Sequence, residues 1–200
     1  MSGEPTENRR ARLFVALDLP RSLREEIAAW GVEALVDPAL RAVRPESLHI
    51  TLAFLGQTEL EAVGLIEAAM AESALPAPLI ELGDPVAKPT PRRAQLFALP
   101  ALAPGAEPMQ ARLAELLIAA GLYKAAKRPF WPHVTIARVR SEGRGSRRPA
   151  KVSQPPQKLP TGLSEAFYGV RMTLYRSVLQ PQGARYVPLA QIELPGAGWQ

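Results

Sequence analysis

The same four-residue pattern occurs twice in this chain of 200 residues, and each copy is typical of a β-strand. The copies are His49-Ile50-Thr51-Leu52 and His133-Val134-Thr135-Ile136, which begin 84 residues apart and contain both histidines of the sequence. Successive side chains of a strand point to opposite faces, so His and Thr share one face and the aliphatic residues share the other. We therefore expect two strands, each with its aliphatic face in a core and its His-Thr face toward a cleft.

Chance is a poor explanation for this repeat. The sequence has seven threonines, so both histidines would be followed by Thr at this spacing in roughly one sequence in a thousand of this composition. A single His-x-Thr segment on a strand would be interpreted as a hydrogen-bonded core histidine. Two matching copies instead favour one shared site, in which two imidazoles and two hydroxyls meet.

Two imidazoles suit general acid and base catalysis. The ordinary pKa of histidine is about 6.5, so near neutrality one ring can carry a proton while the other accepts one. In an in-line displacement at phosphorus, the neutral ring would activate water and the charged ring would protonate the departing oxygen. The threonine hydroxyls would donate hydrogen bonds to the non-bridging phosphate oxygens.

Composition argues against a metal or thiol enzyme. The chain has no cysteine, and none of its three aspartates (Asp18, Asp37 and Asp84) is expected near either motif. Two histidines alone make a poor metal site, and the chain lacks a nucleophile-elbow pattern for Ser-His-Asp catalysis. We therefore expect neither a metal nor any other cofactor.

Basic residues are concentrated in one segment of the chain. The net charge is +5, but segment 124–158 alone carries +9, from ten Lys or Arg and one Glu. Such a segment favours a polyanionic partner, and the alternative is a solvated, flexible basic loop at about 141–158. No stretch approaches the length of a membrane span, and the absence of cysteine fits a cytoplasmic protein.

Hydrophobic patterning predicts an α+β fold with antiparallel strands. Residues 1–10 are expected to be a disordered tail and residues 11–200 a single bilobal domain. The predicted strands are 12–19, 48–55, 79–82, 94–98, 133–138 and a hairpin of 167–178 and 184–194 that turns at 181–183. The predicted helices are 23–35, 59–71 and 107–120. The repeated motif, with helices of similar length in each half, suggests two lobes related by a pseudo-twofold axis.

At these residues the chain resembles the two-histidine phosphoesterase superfamily, and within it the RNA 2′,3′-cyclic phosphodiesterases, also called 2′-5′ RNA ligases. The resemblance covers nearly the whole chain, and the segments that carry it are 12–17, 48–56, 129–138 and 177–188. It implies two pseudo-symmetric lobes, each an antiparallel sheet with helices outside. It also implies a V-shaped, positively lined central cleft and no required metal.

The resemblance further implies hydrolysis of a terminal 2′,3′-cyclic phosphate, on RNA or a small nucleotide, to a 2′-phosphate. By position, His49 would be the proton donor to the departing 3′-oxygen and His133 the base that activates water, while Thr51 and Thr135 would hold the phosphate. Two other functions stay open at this point. One is 2′-5′ ligation of RNA halves by the reverse chemistry, and the other is a non-catalytic RNA-binding module.

Four further residues beside the motifs are candidates for substrate binding. Arg138 lies five residues after His133 and would face away from it on an ideal strand, so it reaches the phosphate only if the strand bends. Phe54, Phe130 and Trp131 could stack on a base, although aromatic residues beside a strand are more often part of a core. We expect a monomer with no obligate protein partner.

Overall fold

The apolar runs of the sequence form antiparallel strands. The computed structural model describes residues 9–124, 128–180 and 183–196, so most of the predicted tail and part of the predicted hairpin turn at 181–183 lie outside the described residues. The strands are β1 (Arg10–Asp18), β2 (Leu40–Ala42), β3 (His49–Glu59), β4 (Leu79–Leu82), β5 (Val86–Lys88), β6 (Leu96–Leu102), β7 (His133–Val139), β8 (Phe167–Tyr168), β9 (Arg171–Gln180) and β10 (Gly183–Glu193). The helices are α1 (Arg21–Ala34), α2 (Val63–Ser73) and α3 (Ala106–Ala119). The predicted α+β class is confirmed.

The two motif strands meet in the middle of the sheet. The strand order is β10-β9-β1-β3-β7-β6-β4-β8, with β2 paired to β7 and β5 paired to β6. The ladder between β3 and β7 consists of the single antiparallel pair Ile50–Val134. This narrow junction separates two groups of strands, and each group contains one motif strand. The arrangement is consistent with the two predicted lobes.

Strand β3 is longer than predicted, because it continues through a glycine, a residue that usually ends a strand. β3 continues past Gly56 to Glu59, because Gly56 takes a φ of 70° while its neighbours stay paired with β1. Thr58 therefore lies within the strand, and its hydroxyl faces the carbonyl groups of Leu55 and Gly56. Helix α3 ends as predicted before Gly121, whose φ is 71°.

The core holds one face of each motif strand. Ile50 and Val134 are fully buried in it, together with Met70 of α2 and Leu113 of α3. Helix α3 packs against β3, and α2 packs against α3 and β10. Since the core occupies this face, the opposite face of β3 and β7 is available for a site. No helix in the described part of the chain is long and apolar enough to cross a membrane.

Segment 141–158, which the sequence predicts to be flexible, is attached to the body of the protein in its second half. The carboxylate of Asp37 accepts hydrogen bonds from the backbone N–H groups of Gln154, Ala39 and Ser153, at 2.8, 2.8 and 2.7 Å. These bonds hold the pKa of Asp37 below its ordinary value, the one from Gln154 most strongly. The flexibility of the remaining loop stays a prediction.

Candidate active site

The junction between β3 and β7 brings the His and Thr of both motifs to one face. Directly opposite side chains of an antiparallel pair lie on the same face, and the residues beside them lie on the other. Because Ile50 and Val134 form this pair and point into the core, the residues that flank them point away from it. All four flanking residues line one cleft of about 440 Å³: His49, Thr51, His133 and Thr135.

The pairing also gives the four side chains an approximate local twofold arrangement. Ile50 and Val134 each follow the histidine of their motif, so the junction pairs equivalent positions. One residue to either side of this pair, the antiparallel register places the His of one motif beside the Thr of the other. A group bound between the strands would therefore have an imidazole and a hydroxyl on each side.

A β-bulge in each motif strand brings one more residue to the cleft. In β7 the register against β6 skips Ile136, and in β3 the register against β1 skips Leu52. An extra residue reverses the alternation of faces beyond it. Phe54 and Arg138, each five residues after its histidine, therefore line the cleft rather than facing the core. The bend that Arg138 requires is thus present, and the structure brings Arg138 together with the motifs.

The same backbone contact sets the position of the proton on both imidazoles. Nδ1 of His49 lies 2.8 Å from the carbonyl oxygen of Ser47, and Nδ1 of His133 lies 2.7 Å from that of Trp131. A carbonyl oxygen can only accept, so each Nδ1 carries a hydrogen and donates it. In the neutral rings, Nε2 is then the nitrogen that can take a proton. Nε2 of His49 lies 3.1 Å from the hydroxyl of Thr51.

Aromatic rings enclose His49. Phe14 stacks on the imidazole with ring centres 5.0 Å apart, Tyr186 meets it edge-on at 5.4 Å, and Tyr175 lies at 6.3 Å. Burial lowers the pKa of His49 to about 4, although the hydrogen bond to Ser47 and the charge of Asp18 both favour the protonated ring. His49 is therefore neutral at neutral pH in the free protein.

An aspartate lies beside His49, so the expectation that no aspartate is near a motif is wrong. Asp18 is the last residue of β1 and pairs in register with His49. Its buried oxygens accept hydrogen bonds from Thr173 at 2.8 Å, Tyr175 at 2.9 Å and Arg171 at 3.1 Å. These donors fix the carboxylate, whose charge then favours protonation of the imidazole.

The surroundings of His133 are cationic instead. Trp131 stacks on the imidazole with ring centres 4.2 Å apart and planes 15° from parallel. Nζ of Lys88 lies 4.2 Å from the centre of the Trp131 ring. Burial, followed by the charges of Lys88 and Arg138, lowers the pKa of His133 below its ordinary value, although the hydrogen bond to Trp131 opposes this. His133 therefore also favours its neutral form.

The cleft is lined with positive charge. Its lining residues include four arginines and no Asp or Glu in the part of the chain that the structure describes: Arg12, Arg41, Arg44 and Arg138. Ion pairs within residues 9–124, 128–180 and 183–196 involve none of the four. The same described ranges contain no group of three or more His, Asp or Glu that could hold a metal ion. Such a cleft attracts anions.

The aromatic residues predicted to bind a base lie in different environments in the structure. Phe54 lines the cleft with 53% of its surface exposed, and the guanidinium of Arg12 lies 5.6 Å from its ring centre. Trp131 stacks on His133. Phe130 is not among the described residues that line the cleft and packs against the main core instead, so the alternative of a core aromatic applies to it. Sequence reasoning missed Tyr186, which lines the cleft beside His49.

The antiparallel α+β fold with one His-x-Thr strand on each side of a basic cleft defines the class of two-histidine phosphoesterases. A model of the 2′-5′ RNA ligase superfamily matches residues 19–165. The chain belongs to the 2′-5′ RNA ligase superfamily.

Relatives of known name cover nearly the whole chain. The RNA 2′,3′-cyclic phosphodiesterase of Escherichia coli strain K12 is 30% identical over 183 residues, which are 89% of this chain and 93% of that protein. Among solved structures, TT0787 of Thermus thermophilus is 27% identical with a TM-score of 0.72, covering 94% of this chain and 100% of that one. E. coli LigT in complex with 3′-AMP is 27% identical with a TM-score of 0.71, covering 92% and 98%.

Proposed function

We propose that this chain hydrolyses 2′,3′-cyclic phosphates, at RNA ends or on small nucleotides, to 2′-phosphates. The observation that carries the proposal is the cleft in which two imidazoles and two threonine hydroxyls share one face. The relative from E. coli, 30% identical over most of both chains, bears the name of this activity. The arginines of the cleft suit a phosphate-bearing substrate.

In the proposed reaction the two histidines divide the proton transfers. His133 takes a proton from water as the water oxygen bonds to phosphorus. The bond from phosphorus to the 3′-oxygen breaks, and His49 gives that oxygen a proton. The product has a free 3′-hydroxyl and a 2′-phosphate. Burial is the larger influence and lowers both pKa values, but one charge beside each ring favours this order. The carboxylate of Asp18 favours the charged form of His49, and the ammonium of Lys88 favours the neutral form of His133.

The negative charge of the bound substrate would favour protonation of His49. His49 is neutral in the free protein because burial lowers its pKa to about 4. A cyclic phosphate carries one negative charge, and an anion this close favours the protonated imidazole. We therefore propose that His49 takes up its proton as the substrate enters, while water and the base act from the side of His133.

The remaining cleft residues would bind the phosphate and the nucleoside. Thr51 and Thr135 would donate hydrogen bonds to the two non-bridging oxygens, and Arg138 would balance their charge. Phe54 is aromatic, half-exposed and on the cleft face, so we propose that it stacks on the terminal base. Ligation would use the same residues in reverse, but bulk water favours hydrolysis.

Purified protein in excess chelator is expected to convert a short RNA ending in a 2′,3′-cyclic phosphate to the 2′-phosphate product. The expectation follows because both proton carriers and the phosphate donors belong to the chain. Chromatography against synthetic 2′- and 3′-phosphate standards measures it. A 3′-phosphate product would contradict the assigned leaving group. Turnover that is lost in chelator and restored by a divalent ion would overturn the metal-independent mechanism.

The pH dependence of kcat/KM should be bell-shaped with its maximum below pH 6.5. This ratio reports the free protein, in which His49 has a pKa of about 4 and the pKa of His133 lies below the ordinary 6.5. The reaction needs one ring neutral and the other charged, so its maximum falls between the two values. The bound anion raises both, so kcat should have its maximum at higher pH. Initial rates across pH test this, and a kcat/KM maximum above pH 7 would contradict the order of events.

Lys88→Met should move the alkaline limb of that kcat/KM profile to higher pH. When two rings must share one proton, the alkaline limb follows the higher of their two pKa values, whichever ring holds the proton during the reaction. We expect the alkaline limb to report His133, since burial lowers the pKa of His49 as far as about 4. Lys88 is one of the charges that lower the pKa of His133, and removing that charge raises it.

The control for this variant is Lys158→Met. Methionine at position 88 is an uncharged side chain of similar length, and Lys158→Met removes the same charge from an exposed position. The control should leave the alkaline limb in place. Equal shifts in both variants would show an effect of net charge only.

A further inference from the structure

We propose that the hairpin following β7 extends the cleft into a groove for single-stranded RNA on the 5′ side of the reacting end. The proposal rests on the proposed function and adds to it a preference for oligonucleotides over mononucleotides. Residues 140–150 are called the basic hairpin here. They contain four arginines, all exposed: Arg140, Arg144, Arg147 and Arg148.

A second cavity lies between the basic hairpin and the catalytic cleft. Its volume is about 530 Å³, and three arginines line it, Arg41, Arg140 and Arg144, with no acidic residue among the described lining. Arg41 also lines the catalytic cleft. Because one residue borders both spaces, they are adjacent. An RNA strand with its 3′ end at the histidines could leave past Arg41 without losing cationic partners.

The base of the basic hairpin is held in place relative to Arg41. Its two ends are joined by the bond from Ala150 N–H to the carbonyl of Arg140 at 2.8 Å, and Arg140 N–H in turn donates to Ala39 at 2.8 Å. Ala39 directly precedes β2, the strand that carries Arg41. Gly145 provides the turn with a φ of 83°. The spacing between Arg41 and the hairpin is therefore set by backbone hydrogen bonds, as a binding groove requires.

The basic hairpin has a net charge of +3, because Glu142 is its one acidic residue. The ion pairs found within the described residues use Arg9, Arg10, Arg21, Arg112 and Arg171 and none of the four hairpin arginines. Unpaired arginines around a concave surface favour a polyanion. RNA fits better than an acidic protein, because the groove continues a cleft whose own ligand is a nucleotide phosphate.

The groove should make binding depend on RNA length and on salt. Each backbone phosphate that a cation neutralises in single-stranded nucleic acid steepens the plot of log K against log salt concentration by about 0.7. A cyclic mononucleotide has no 5′ neighbour and cannot reach the basic hairpin. Oligonucleotides should therefore show a lower KM than mononucleotides at low salt, and the difference should fade as salt rises.

The test uses the double variant Arg140→Gln, Arg144→Gln and a matched control, Arg21→Gln, Arg112→Gln. Both lose two charges at exposed sites, but only the first pair borders the groove. Fluorescence anisotropy would follow an eight-nucleotide RNA ending in a 2′-phosphate across salt concentrations. The groove variant should lose about 1.4 from the slope, the control should match wild type, and both should hydrolyse a cyclic mononucleotide at the wild-type rate.

Two results of the salt titration would overturn the groove. One is an unchanged slope in the groove variant, and the other is an equal change in both variants. Since anisotropy needs no turnover, a protein that binds with the expected slopes but hydrolyses no cyclic phosphate would refute the proposed function alone. Loss of mononucleotide hydrolysis in the groove variant would show damage to the catalytic cleft and would also count against a separate groove.

Discussion

His133→Ala is expected to lower kcat for an RNA ending in a 2′,3′-cyclic phosphate by about 10²- to 10⁴-fold, and His49→Ala by a similar factor. Each variant removes one of two proton carriers whose Nδ1 atoms are fixed by backbone carbonyls. Without His133 the attacking water keeps its proton through bond formation, and without His49 the 3′-oxygen leaves as an alkoxide. Single-turnover rates at saturating RNA measure the chemical step.

Two further variants test whether the loss of kcat is specific to proton transfer by the two histidines. The double variant should lose little more than either single one, because the two rings act as a unit. Leu179→Ala alters the cleft at a side chain that is 70% exposed and should stay near the wild-type rate. If either histidine variant retained activity within a few-fold of wild type, that ring would have no part in proton transfer. If RNA binding persisted without turnover even in wild type, the chain would be a binding module.

Thr51→Val and Thr135→Val should each lower kcat by about 10²- to 10³-fold, the usual effect of losing one hydrogen-bond donor to a developing charge. Valine keeps the β-branched shape on the strand, so the change removes the hydroxyl and little else. The loss should appear in kcat more than in KM, because the non-bridging oxygens carry most charge in the transition state. Steady-state kinetics on the cyclic-ended RNA separate the two parameters.

The matched control is Thr58→Val, on the same strand as Thr51. Thr58 is buried away from the cleft, and its hydroxyl faces only the backbone carbonyls of Leu55 and Gly56, at 3.4 and 3.5 Å. Its replacement should leave kcat unchanged. A loss below threefold in both motif variants would mean that the hydroxyls do not touch the reacting phosphate.

Sequence pattern alone predicted the catalytic face but not its full extent. Alternation along a strand placed His49 and Thr51 together, and likewise His133 and Thr135. Alternation also placed Arg138 on the wrong face, since a bulge breaks it. A signal for the bulge exists: in both strands two apolar residues follow the Thr, Leu52-Ala53 and Ile136-Ala137, and all four are buried. Consecutive buried residues in an otherwise alternating strand indicate that the alternation is interrupted.

Other parts of the site depend on pairing between strands that are distant in the chain. This pairing cannot be predicted from a single sequence. Asp18 reaches His49 through the register of β1 against β3, and Tyr186 reaches it from the last strand. Arg41 comes from β2, a strand of three residues that is too short for periodicity to detect. Phe130 shows the converse, because its position beside a motif did not bring it to the cleft.

Strand β1 pairs along one edge with β9, which is synthesised much later. The active site can therefore form fully only after β9 has been made. β9 pairs with β1, so a nascent chain that already contains both motifs still has β1 with an open edge. Tyr175 and Tyr186, which help to bury His49, are not yet present, and neither are the Arg171 and Thr173 donors to Asp18. In that chain His49 is a solvated imidazole beside a loosely held carboxylate. The environment of His49 is thus complete only after β9 and β10 have been synthesised.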